Sequence, residues 1–114
     1  MAETEGGRPV VVRSDEARAF MEGDEACREY LRDARLWFGT STLPPGASGT
    51  VDPGHASSVE IFYCFQGTVA IDDTSGTHRL GSGDAILIPE GVPHRIVNLG
   101  PDVAVLAWAG SPGE

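Results

Sequence analysis

The segment Gly83–Asn98, GDAILIPEGVPHRIVN, constrains this chain more than any other. Its run Ala85-Ile86-Leu87-Ile88 is apolar and rich in isoleucine, which suits a pleated, half-buried strand. Pro89 and Gly91 end that strand, because proline lacks a ladder donor and glycine favours turns. The chain restarts at His94-Arg95-Ile96-Val97. The pattern is two strands joined by a Pro/Gly corner, with a histidine on the first pleat of the second strand.

The rest of the chain is punctuated in the same way. Its 15 glycines and 8 prolines supply the turns that an all-β fold needs. Strands are expected at Leu36–Leu43, Val59–Gln66, Ala85–Ile88, Arg95–Asn98 and Val103–Ala109. A hairpin is expected from Thr68–Asp72 to His78–Leu80 across Asp73–Gly76. Short strands with frequent turns point to a sandwich or barrel in which alternate residues share one interior. The N-terminal third reads differently. Val10–Arg13 suggests an edge strand. Ser14 followed by Asp15 and Glu16 resembles a helix cap, and Ala17, Phe20 and Met21 fall at i, i+3, i+4 before Gly23. A short helix is therefore expected there, with another helical turn or two over residues 24–34. Residues 1–8 read as a flexible N-terminus and 9–112 as a single domain.

The net charge of −9 argues against nucleic-acid or anionic-membrane partners. The chain contains no lysine, which excludes Schiff-base chemistry through a lysine amine. The first residues lack a cationic stretch leading into an apolar one, and no apolar run approaches the roughly 20 residues that span a bilayer. With only Cys27 and Cys64, far apart, a cytoplasmic protein with two free thiols is expected.

The spacing of Gly83, Pro89, Gly91, His94 and Asn98 resembles the second signature motif of the cupin superfamily. The stretch GASGTVDPGHASSVEIFYCFQG resembles a degenerate first motif, in which Glu60 and Gly67 match. His55 fits there as the second motif histidine, which puts Pro53 where the first should stand. In the alternative register His55 is the first, Ser57 takes the second place, and the gap to Glu60 is one residue short. The first register is preferred, since a shift of one flips a side chain to the other face.

The resemblance implies an antiparallel β-barrel, or double-stranded β-helix jelly roll, around a metal site. Its ligands would be His55, Glu60 and His94, holding a divalent transition metal such as Fe, Zn, Mn or Ni. Two imidazoles and a carboxylate leave open positions for substrate or water. That implies an enzyme acting on a small organic molecule, of dioxygenase, isomerase, cyclase or decarboxylase type. The alternative is a metal-free cupin, either a binding or sensing protein or a metal-independent isomerase or cyclase.

Alternation from Glu60 sends Phe62 and Cys64 inward, Phe62 as a pocket wall and Cys64 as a pocket neighbour or a small core residue. Ile61, Tyr63 and Phe65 fall on the opposite face, which suggests cover by the N-terminal segment or by a second copy in a homodimer. Asp52 lies close to the missing ligand position in a Pro/Gly loop and could replace that histidine, but alternation from His55 places it on the opposite face. Of the two sets in Leu36–Thr42, one lines the cavity; alternation alone leaves open which.

Overall fold

The computed structural model describes residues 7–114, so the first six residues of the expected flexible N-terminus lie outside the described residues. The described residues form nine strands: β1 Arg18–Glu22, β2 Glu25–Arg32, β3 Trp37–Leu43, β4 Val59–Gln66, β5 Val69–Asp73, β6 Gly76–Leu80, β7 Ala85–Ile88, β8 His94–Asn98 and β9 Ala104–Ser111. Six of them make one sheet in the order β1-β2-β3-β9-β4-β7, and three make a second in the order β6-β5-β8. Every pairing within the sheets is antiparallel. The two sheets close on a shared core that includes Trp37, Leu43, Val69, Ile71, Leu106 and Trp108.

The N-terminal helix is not formed. Residues 18–32 make a hairpin instead, with Glu22 opposite Glu25 across Gly23-Asp24. Gly23, which looked like a helix breaker, is the hairpin turn, with φ at +62°. The period was misleading for a definite reason. Strand β2 buries Glu25, Cys27 and Glu29 and exposes the residues between them, so two of its three inward positions carry carboxylates. A polar inward face hides the period of 2 from a reading based on hydrophobicity. Val10–Arg13 likewise forms no strand.

Two tryptophans decide which face of β3 looks inward. Trp37 and Ser41 are buried while Phe38 is exposed. A Cβ at Gly39 would collide with the Trp108 ring, and one at Gly110 with the Trp37 ring. Each glycine thus clears the space that an indole on the neighbouring strand fills. The sequence ladder sets this up: Gly39 pairs with Trp108 and Trp37 with Gly110.

The rest of the second motif is structural. Asn98 is buried, and its Nδ2 donates to the carbonyls of Leu43, Pro44 and Asp102 at 2.8–3.1 Å. Its Oδ1 accepts the Gly100 N–H at 2.9 Å. The Gly91 N–H donates to the His55 carbonyl at 2.8 Å, which ties the Pro/Gly corner of one motif to the histidine of the other.

Candidate metal centre

Strands β4 and β8 bring Glu60 and His94 together at one end of the barrel. The His94 Nε2 lies 3.2 Å from Glu60 Oε1, and both side chains are almost fully buried. The loop before β4 delivers His55, whose Nε2 lies 3.3 Å from the same Glu60 oxygen. The three residues expected from the motifs therefore converge on one point.

Asp52 joins them, contrary to its expected outward orientation. Its Oδ2 sits 3.7 Å from His55 Nε2 and 3.8 Å from His94 Nε2. Alternation failed because residues 52–55 are not one strand. Asp52 pairs with His94 as an isolated bridge, its N–H donating to the His94 carbonyl at 2.8 Å and its carbonyl accepting the His94 N–H at 2.9 Å. Pro53 and Gly54, the latter at φ +92°, then turn the chain so that His55 looks back at the same point. The Gly54 N–H holds Asp52 Oδ1 at 2.9 Å, which leaves Oδ2 facing the histidines. The Pro-Gly pair was the available signal that the pleat breaks between Asp52 and His55.

The protonation of the two rings follows from their other contacts. His94 Nδ1 lies 2.9 Å from the Val92 carbonyl, and His55 Nδ1 lies 2.7 Å from a Glu114 carboxylate oxygen. A carbonyl and a carboxylate accept, so in the neutral rings each Nδ1 carries the proton and each Nε2 offers a lone pair. Both lone pairs then face the Glu60 oxygen, itself an acceptor. His55 Nε2 and Glu60 Oε1 are buried without a hydrogen-bond partner. Burying such groups unpaired costs about 1–3 kcal/mol each. A cation among them would satisfy all of them at once. Asp52, His55 and Glu60 place their donor atoms within 4.8 Å of one another, and His94 reaches two of these three within 3.8 Å. The two histidine separations from Glu60, 3.2 and 3.3 Å, are close to what tetrahedral arms of about 2.1 Å imply, and those from Asp52 are wider at 3.7 and 3.8 Å. The residues present thus fit a metal ion, and the carbonyl and carboxylate behind the rings are the outer partners that usually orient ligating histidines. For His94, burial disfavours the charged ring, but the Glu60 carboxylate, the Val92 carbonyl and Asp52 outweigh it and hold its pKa above the ordinary value.

A cavity of about 250 Å³ opens beside this cluster. Trp37 stacks tilted on His55 with ring centroids 4.6 Å apart, and Phe62 meets His94 edge-on at 5.6 Å. Phe62 is among the residues that line the cavity. Cys64 does not line it. That residue sits deeper on β4, fully buried in the core, with its thiol toward the carbonyls of Gln66 and Gly67. Three residues on β4 separate it from Glu60, and that distance carries it to the closed end.

The opposite wall of the cavity comes from β1 and β2, the strands that read as helix. Glu25 is buried there and accepts a hydrogen bond from the Ser41 hydroxyl, which itself accepts the Trp108 Nε1–H at 2.8 Å. Burial raises the Glu25 pKa above 4.5 despite the hydrogen bonds from Ser41 and Cys27, with the Glu22 and Glu60 charges adding to the rise. Burial and the Glu25 charge push the Cys27 thiol up to about 12, so it behaves as an inert packing group.

Arg95 and His78 lie away from the cluster's donors. Arg95 pairs with Asp72 across β8 and β5 at 3.0 Å, and exposed His78 pairs with Asp73 at 2.8 Å.

The cupin-domain family model matches residues 39–110, well over half of the chain and all four donors. The chain belongs to the cupin family. Its fold is a cupin jelly roll of antiparallel strands. An uncharacterised Streptomyces coelicolor protein, SCO3923, is 27% identical over 89 residues, covering 78% of this chain and 83% of that protein. Among solved structures, KdgF from Halomonas sp. aligns with a TM-score of 0.74 at 23% identity, covering 94% of this chain and 96% of that one. A predicted oxalate decarboxylase from Thermotoga maritima aligns at 0.73 and 23% identity, covering 90% and 99%. These structural likenesses extend to the fold. Among the described residues no helix is long and apolar enough to cross a membrane.

Proposed function

We propose that this cupin is a metal-dependent enzyme that binds a small organic molecule in the cavity beside Asp52, His55, Glu60 and His94. One observation carries the reading: the Nε2 atoms of two histidines each lie within 3.3 Å of one buried, unpaired carboxylate oxygen of Glu60. The Pro53 position, which lacks a donor, is compensated by its neighbour Asp52. Such a two-histidine, two-carboxylate set suits Fe, Zn, Mn or Ni. When bound, the ion supplies Lewis acidity toward a carbonyl, enolate or water oxygen, and iron also opens dioxygen chemistry. The chain's own residues do the rest. Glu114 and the Val92 carbonyl fix the rings, Trp37 and Phe62 shield them from water, and Glu25 lies on the far wall. Dioxygenation, isomerisation, cyclisation and decarboxylation all fit this arrangement, because a fold does not select a chemistry.

The same reading has the protein working in the cytoplasm as a homodimer, without nucleic-acid or membrane partners. The support for a second copy is an apolar groove on the outer face of the large sheet, lined by Phe38, Ile61 and Leu87 among others. Ile61 and Leu87 are 45% and 59% exposed, and Tyr63 and Phe65 extend the patch.

Purification without chelator followed by elemental analysis tests the metal reading. About one equivalent of a transition metal is expected. Less than about a tenth of an equivalent, with no uptake of added Zn²⁺, Mn²⁺, Ni²⁺ or Fe²⁺, would leave the metal-free pocket as the better account.

A further inference from the structure

Glu29 is buried in the cavity wall, with 2% of its side chain exposed, yet it faces two arginines rather than one. Arg32 grips it with two donors, Nε to Oε1 at 3.1 Å and NH2 to Oε2 at 2.8 Å. Arg18 reaches Oε1 from β1 through one NH2 at a long 3.4 Å. One buried carboxylate thus anchors two guanidiniums side by side in the cavity wall. Both guanidiniums also sit over aromatic rings. Arg18 lies 4.3 Å over the Phe20 ring, and Arg32 lies 5.2 Å over Trp37, the same indole that packs on His55. Stacking and the buried anchor spend little of either arginine's donor capacity, since each guanidinium carries five N–H donors.

We propose that Arg18 and Arg32 form an anion subsite that receives a carboxylate of the cavity's ligand. The inference rests on the metal reading in one respect: a ligand held there would point its other end along the Trp37 wall toward the four-donor cluster. The substrate class is thus a small organic acid with a second oxygen function, such as a dicarboxylate. Charge supports the coupling of the two ends. Five carboxylates and three arginines line the cavity, so an anion enters more favourably once a dication is bound.

The test uses the whole chain, metal-free and loaded with Zn²⁺ or Mn²⁺, titrated with dicarboxylates from malonate to adipate. Binding is read by calorimetry and by the fluorescence of Trp37 and Trp108, both of which line the cavity. The tightest dicarboxylate is expected to bind the loaded protein more tightly than the metal-free one, and the matching diamide is expected not to bind. Arg18→Gln, a half-exposed change, should weaken the diacid about tenfold or more. Arg32→Lys, which keeps the charge and loses the fork, should weaken it less. Arg79→Gln, an exposed change of the same charge on β6, should leave it unchanged. Metal affinity in Arg18→Gln should match the wild type. Diacid binding that is absent from the wild type, or indifferent to Arg18→Gln, overturns the subsite. Inorganic phosphate binding more tightly than every diacid overturns the carboxylate assignment. If no metal binds, the metal reading fails separately, and Arg18-dependent diacid binding to the metal-free protein still decides this one.

Discussion

Strands β4 and β8 each run from the open end of the barrel to the closed end, and their inward residues change character along the way. On β4 the order is Glu60, Phe62, Cys64; on β8 it is His94, Ile96, Asn98, and all six are buried. At the closed end the polar group is saturated, with Asn98 bonded to three carbonyls and one N–H. At the open end the polar groups converge but do not satisfy each other. The same two strands, one from each sheet, thus carry a structural clamp at one end and an incomplete coordination shell at the other. A buried polar residue that closes its hydrogen bonds serves the fold, whereas one that cannot close them alone is set up for a ligand.

The largest effect is expected at the clamp. Asn98→Ala leaves the Leu43, Pro44 and Asp102 carbonyls without this donor and should cost about 3 kcal/mol, read as a lower denaturant midpoint. A cost below about 1 kcal/mol would erase the distinction between the ends.

The open end should respond in the opposite way. Glu60→Gln, nearly isosteric, should leave the metal-free protein within about 1 kcal/mol of wild type, because the carboxylate oxygen it replaces had no partner. Metal affinity should fall at least about a hundredfold, beyond what losing an outer partner of a ligand costs. Equal metal affinity in this variant would remove Glu60 from the ligand set.

The smallest effect concerns Glu25, whose carboxyl lies on the cavity wall between the two ends. Burial raises its pKa above 4.5, so folding favours the protonated form. Its contribution to stability is complete below pH 4.5 and is lost as pH rises through the folded value. Gln at this position has no proton to lose. The stability of Glu25→Gln relative to wild type should therefore grow between pH 4 and pH 8, followed as the difference in melting temperature. A difference that stays flat would mean that Glu25 titrates as in the unfolded chain.

Much of the barrel was legible from turn residues and alternation, including Val59–Gln66 and Ala85–Ile88 with their ends. The spacing of His55, Glu60 and His94 also pointed to a shared site, because strands hold a fixed period and a Pro/Gly corner leaves a recognisable mark. Three features were not legible. Strand β2 hides its period behind inward carboxylates. Asp52 and His55 share a target only because Pro53-Gly54 cancels the pleat and the bridge to His94 fixes the register. Arg18 and Arg32 flank Glu29 only because β1 folds back on β2, with Arg18 directly opposite Glu29. Local spacing determined where the strands turn and which histidines they carry. Long-range pairing decided which charges meet, because a buried charge takes its surroundings from neighbouring strands rather than from its neighbours in sequence.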